Sequence, residues 1–94
     1  MTSVVIPALN EAKNIEYVIA LAAASPCVGE IIVVDDGSID ETPDSSARAG
    51  ARVVTSSLLG KGASMEDGLR EARGDVIVYL DGIGPSQAQA KRRR

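Results

Sequence analysis

The sequence predicts an α/β fold, a parallel βαβαβαβ sheet three layers thick followed by a disordered tail. Three observations carry that prediction. Four short β-branched runs are continuously apolar rather than alternating, as strands covered on both faces require. Segments with helical spacing, or of polar alanine-rich composition, lie between them. Finally, 94 residues allow one small domain, and strand–helix alternation within one domain demands right-handed crossovers and a parallel sheet.

The first run is Ser3-Val4-Val5-Ile6. Ile15, Val18, Ile19 and Ala22 then recur at i, i+3, i+4 and i+7, which predicts a helix, and Asn10 is placed to cap its start. The second run extends from Glu30 to Val34. The polar stretch from Asp40 to Ala49 fits a helix only if Pro43 occupies the first turn. Ala51 to Val54 gives a third strand, Met65, Leu69 and Ala72 mark a third helix, and Asp75 to Leu80 gives a fourth strand. After Asp81 the pattern dissolves. Gly82-Ile83-Gly84-Pro85 is rich in breakers, and Ser86 to Arg94 shows no apolar periodicity. Residues 1–82 are therefore read as the folded domain and 83–94 as a basic, unstructured tail. Four strands alone amount to half of a doubly wound sheet, with the expected order 3-2-1-4 and open edges that invite self-association.

Composition narrows the function. At 45% hydrophobic and 24% charged, the chain is an ordinary globular one. No apolar run suffices for a transmembrane segment, and no charged-then-apolar signal begins the chain. The absence of histidine excludes imidazole acid–base chemistry and His-ligated metals. Cys27 stands alone, which excludes an internal disulfide and a multi-cysteine zinc site. It is expected to be a small buried hydrophobe, and a reducing, cytoplasmic location follows as the default. Tyr17 and Tyr79 are the only aromatics, too few for a base-stacking platform. All thirteen acidic residues precede the basic tip Lys91 to Arg94, so the body is acidic and no nucleic-acid partner is expected.

Ligands of open α/β sheets bind at the carboxyl ends of the strands. Those ends are Pro7-Ala8-Leu9-Asn10-Glu11, Asp35-Asp36-Gly37-Ser38, the loop to Gly60-Lys61-Gly62, and Asp81-Gly82. Carboxylates there can accept hydrogen bonds from a base N–H or from ribose hydroxyls. Lys61, between two glycines at a helix start, suits a diphosphate. Each piece has a plainer reading: Asp35-Asp36 as a turn, the glycines as loop punctuation, Glu11 as a helpful first-turn charge. Their joint occurrence at four successive strand ends favours a nucleotide site. Familiar motifs do not supply it. No G-x-G-x-x-G follows the first strand, Gly60-Lys61 lacks the P-loop glycine, and the segment from Asp36 has Glu41 where a calcium loop needs glycine.

In order and spacing, Val4 to Glu11, Ile32 to Ser38 with Asp40 and Thr42, Gly60-Lys61-Gly62 and Gly74 to Asp81 resemble the N-terminal signature of family 2 glycosyltransferases. In motif form they are most similar to the glucosyl-3-phosphoglycerate synthase and dolichyl-phosphate mannosyltransferase branches. The resemblance covers residues 2–82. It implies the nucleotide-sugar-binding half of a GT-A fold, and inverting sugar transfer from a UDP-glucose-like or GDP-mannose-like donor, UDP favoured, with Mg²⁺ or Mn²⁺. By the same resemblance Pro7, Ala8, Leu9, Asn10 and Glu11 line the nucleoside pocket, Asp36 meets the base, and Lys61 meets the base or diphosphate. Asp81 corresponds to the first Asp of the family's Asp-x-Asp motif, near ribose and metal.

Two departures accompany it. Ile83 stands where the second, metal-ligating Asp belongs, and isoleucine cannot coordinate a hard cation. No catalytic general base is identifiable in the chain. The switch at Ile83-Gly84-Pro85 into a Gln/Ala/Arg tail leads to the expectation of a truncated or frameshifted reading frame, weakly active or inactive alone. Two alternatives stand beside this reading. One is a receiver-like signalling domain built on Asp35, Asp36 and Asp81; the other is a non-catalytic interaction fragment using a sheet edge.

Overall fold

The β-branched runs form strands where the sequence places them. They are β1 (Thr2–Ala8), β2 (Val28–Asp35), β3 (Arg52–Thr55) and β4 (Val76–Leu80), in a computed structural model whose described residues are 1–56, 61–80 and 88–92. Between them run α1 (Ile15–Ala23), α2 (Thr42–Arg48) and α3 (Lys61–Glu71). The strands lie in the order β3-β2-β1-β4, all parallel, as expected. The expected unstructured tail is corrected at residues 88–92, which form β5 (Ala88–Arg92), antiparallel to β4. An open sheet edge offers unpaired N–H and C=O groups. A neighbouring segment can satisfy them through its backbone, without an apolar pattern of its own.

Successive side chains of a strand face opposite sides, so a strand covered twice needs apolar residues at every position. β1 and β2 meet that need. Val4, Ile6 and Ala8 join Ile31 and Val33 under Ile15 and Ile19 of α1. On the other face Val5, Ile32 and Val34 join Ile77 and Tyr79 of β4, packed against Leu69 and Ala72. Val5, Ile32, Val33 and Val34 are wholly buried. Each such side chain contributes about 1.5–3 kcal/mol of hydrophobic stabilisation. Pro7, which has no N–H for a ladder, lies beyond Val5–Tyr79, the last β1–β4 pair among the described residues.

Two glycines fix local geometry. A Cβ on Gly68 would fall 2.2 Å from Val5 Cγ1, so glycine lets α3 sit close on β1. Gly50, at φ +100°, ends α2. Its N–H donates to the Ala47 carbonyl (3.1 Å) while the Ala51 N–H donates to that of Ser46 (3.1 Å), a Schellman closure that turns the chain into β3. Pro43 falls in the first turn of α2, as required. Cys27 departs from expectation: its thiol is exposed, because the residue lies in the turn before β2, outside both core layers.

The amino-terminal ends of the strands are joined by a polar network. The buried Ser3 hydroxyl donates to Glu30 Oε2 and accepts from the Gly74 N–H at 2.8 Å. Glu30 also accepts from the Arg73 amide and pairs with Arg52, which reaches Glu71 at 3.2 Å. Burial by itself raises the Glu30 carboxyl. The Ser3 and Arg73 hydrogen bonds and the charges of Arg52 and Arg73 outweigh it and hold the group below its ordinary range.

Candidate functional site

The chain leaves β1 toward β2 on one side, and β4 arrives on the other. The carboxyl ends of β1 and β4 therefore flank the point where strand order reverses, the usual ligand crevice of open sheets. Two loops dominate the described part of this end: residues 9–14, after β1, and residues 36–41, after β2.

These loops are fastened to each other. The Asn10 N–H donates to Ser38 Oγ at 2.9 Å, and the Ile39 N–H donates back to Asn10 Oδ1 at 2.9 Å. The Glu11 N–H donates to Thr42 Oγ1 at 2.8 Å, and the Ala12 N–H to Asp40 Oδ2 at 3.3 Å. Thr42, wholly buried, donates its hydroxyl to Asp40 Oδ1, which also accepts the Thr42 N–H at 2.9 Å. The Thr42 hydroxyl is the leading cause that holds the exposed Asp40 carboxyl below its ordinary range, with the Thr42 and Ala12 amides adding to it. Where β1 meets β2, the Asp36 N–H donates to the Ala8 carbonyl at 2.9 Å.

This arrangement corrects the expected role of Asn10. It does not cap α1. Asn10 is left-handed (φ 53°) and spends its side chain on the neighbouring loop, while Asn14 and Ile15 donate to the Glu11 carbonyl in a turn before α1 begins. Ser38, Asp40 and Thr42, which the sequence motif contains without a stated task, are the fastening residues. Their signal was the run of short oxygen-bearing side chains, which bond readily to nearby amides.

The fastening leaves two carboxylates facing no protein partner. Glu11 and Asp36 are half-buried and follow adjacent strands, and their carboxylates have neither a hydrogen bond nor an ion pair among the described residues. Asp35 differs: its Oδ2 accepts the Ser38 N–H at 3.2 Å, while its Oδ1 is buried without a partner. Leu9 is 49% exposed at the same rim. Pro7 is half-buried, and the Ala8 side chain belongs to the core, so Ala8 presents backbone to this end. Lys61 opens α3, the helix after β3, but its side chain lies outside the described residues, as do Gly60, Asp81 and Ile83. Asp81 directly follows Leu80, the last residue of β4.

The donor set expected for a divalent metal does not fit these residues. Hard cations require oxygen ligands, and Ile83 offers only carbon beside the single carboxylate of Asp81. Among the described residues no cluster of three or more acidic, Cys or His side chains gathers. The receiver-like alternative needs Asp35 and Asp36 as a free acidic pair. It is not favoured, because Asp35 is committed to the Ser38 turn.

Comparison with known proteins agrees with the motif order. Residues 3–82 match the family model described as Glycosyl transferase family 2. A glucosyl-3-phosphoglycerate synthase of Mycobacterium tuberculosis is 40% identical, the match covering 84% of this chain and 28% of that protein. Glycosyltransferase AglD of Haloferax volcanii is 36% identical over 84% of this chain and 15% of its own length. The chain thus spans less than a third of the length of either of these two relatives. Among solved structures, the M. tuberculosis synthase in complex with Mn²⁺, UDP and glucosyl-3-phosphoglycerate superposes with a TM-score of 0.76 at 37% identity, covering 86% of this chain and 33% of that one. The mannosyl-3-phosphoglycerate synthase of Rubrobacter xylanophilus gives 0.76 at 33% identity, covering 86% of this chain and 30% of that one.

Proposed function

Because the chain belongs to glycosyl transferase family 2 and has its GT-A fold, we propose that it binds a nucleotide diphosphate sugar at the carboxyl ends of β1, β2 and β4. The carrying observation is the pair of carboxylates, Glu11 and Asp36, without a partner among the described residues, on two loops that are hydrogen-bonded into one platform. Asp36 accepts from the base and Glu11 from the nucleoside, with Pro7, Leu9, Asn10 and the Ala8 backbone forming the adjoining wall. Lys61 and the start of α3 meet the diphosphate, and Asp81 the ribose. UDP-linked glucose is the favoured donor, since solved relatives hold UDP and UDP-glucose; a GDP-mannose-like donor is second, on the likeness to the mannosyl enzyme.

Binding here is the donor half of an inverting transfer. The other half, removal of the acceptor hydroxyl's proton, has no assigned residue in these 94. Transfer by these residues alone is therefore weak or nil. Related structures contain Mn²⁺ or Mg²⁺ with UDP, and no catalytic step is assigned to a metal on this chain, given Ile83. No helix among the described residues is long and apolar enough to cross a membrane. The proposed location is the cytoplasm, on the strength of the lone Cys27. Self-association through the sheet would use one of its two edge strands, β3 or β5.

Isothermal titration with UDP, UDP-glucose and GDP-mannose, each with and without Mn²⁺, tests the reading. Heat with UDP and UDP-glucose, little changed by Mn²⁺, is the expected result. No heat from any of the three at millimolar ligand removes it.

A further inference from the structure

Among the described residues, the Thr42 hydroxyl is the one side-chain group that both accepts from the β1 loop and donates into the β2 loop. It takes the Glu11 N–H at 2.8 Å and gives its own proton to Asp40, whose other oxygen holds the Ala12 N–H at 3.3 Å. Thr42 is wholly buried, so water cannot replace the hydroxyl if it is lost. Glu11, whose amide it holds, carries one of the two site carboxylates that have no partner among the described residues. The Asn10–Ser38 and Ile39–Asn10 bonds fix the same loops one step further out.

We propose that Thr42, acting through Asp40, is a positioning residue for the nucleotide site: its hydroxyl sets the Glu11 carboxylate in register with that of Asp36. This inference rests on the donor-binding reading above. The side chain does not touch the nucleotide. It acts by holding residues 10–12 against residues 38–42, so that the two carboxylates need no rearrangement when the ligand arrives. A preorganised site avoids the cost of ordering its loops on binding.

Thr42→Val keeps the shape and removes the hydroxyl, whereas Thr42→Ser keeps the hydroxyl and removes a methyl. Two readouts are made on the 94-residue chain: UDP affinity by titration, and amide hydrogen exchange without ligand. Thr42→Val is expected to weaken UDP binding about tenfold and to speed exchange at Glu11 and Ala12 by a similar factor, with strand amides such as Ile6 and Val33 unchanged. Thr42→Ser is expected to restore both to within about threefold. Wild-type UDP affinity in Thr42→Val overturns the proposal. So does unchanged protection at Glu11 and Ala12, or a uniform loss of protection across the sheet, which marks a general stability role. If the wild-type chain binds no UDP, the donor-binding reading falls by itself, and the exchange pattern still decides whether Thr42 holds the loop.

Discussion

At the scale of single residues, the proposed site depends on carboxylates that have no protein partner among the described residues. The Asp36 and Glu11 carboxylates are half-buried and have no partner among the described residues, whereas neighbouring Asp40 has several donors. An unpaired acceptor is available to a ligand; a satisfied one has first to be released from its donors. Asp36→Ala is therefore expected to weaken UDP binding by about 1–3 kcal/mol, read by titration calorimetry, with little effect on folding. Asp40→Ala acts differently, through loop order, because its oxygens hold the Ala12 and Thr42 amides. The sequence made Asp36 legible as a candidate, since an acidic pair after an apolar strand stands out. It made Asn10 illegible. An asparagine ahead of a helical pattern looks like a cap, and nothing local reveals that its acceptor oxygen is taken by Ile39, 29 residues on.

At the scale of elements, the strands and helices were readable because double-sided burial leaves a continuous apolar run. Val4 to Ile6 and Ile31 to Val34 could be placed from that alone. Contact between elements could not. Gly68 reads as a helix-weakening residue in sequence, yet it is where α3 approaches Val5 most closely. Gly68→Ala improves helix propensity and still is expected to destabilise the fold by about 1–3 kcal/mol, because the added methyl must displace Val5. Urea unfolding decides between the two effects, and a more stable variant would show that α3 shifts freely on the sheet. β5 was hidden for a related reason: pairing along an edge is a property of backbones and leaves little trace in side-chain pattern.

For the whole molecule, the two ends of the sheet do different work. The amino-terminal end is tied by Ser3, Glu30, Arg52 and the Arg73 and Gly74 amides, which link β1, β2 and β3 to α3 and to the turn that leads into β4. Glu30 is held below its ordinary range, so the folded state favours its charged form. Its stabilising contribution is then complete above about pH 4.3, the usual value of an unfolded glutamate, and is lost as pH falls through the lower folded value. Urea midpoints from pH 7 down to pH 3 are expected to fall steeply in the wild type and less steeply in Glu30→Gln, which starts lower at neutral pH. Equal slopes would remove Glu30 from the acid response. The carboxyl-terminal end is assembled otherwise. Its four bonds between loops all join positions 28 to 31 residues apart, inside a single βαβ unit. The β1–β2 ladder, paired up to Ala8–Asp35, already closes that stretch of chain, so the entropy of closure is met by the ladder and barely again by these bonds. The clasp is accordingly made at little entropic cost once the two strands have paired, and it is lost only where they part.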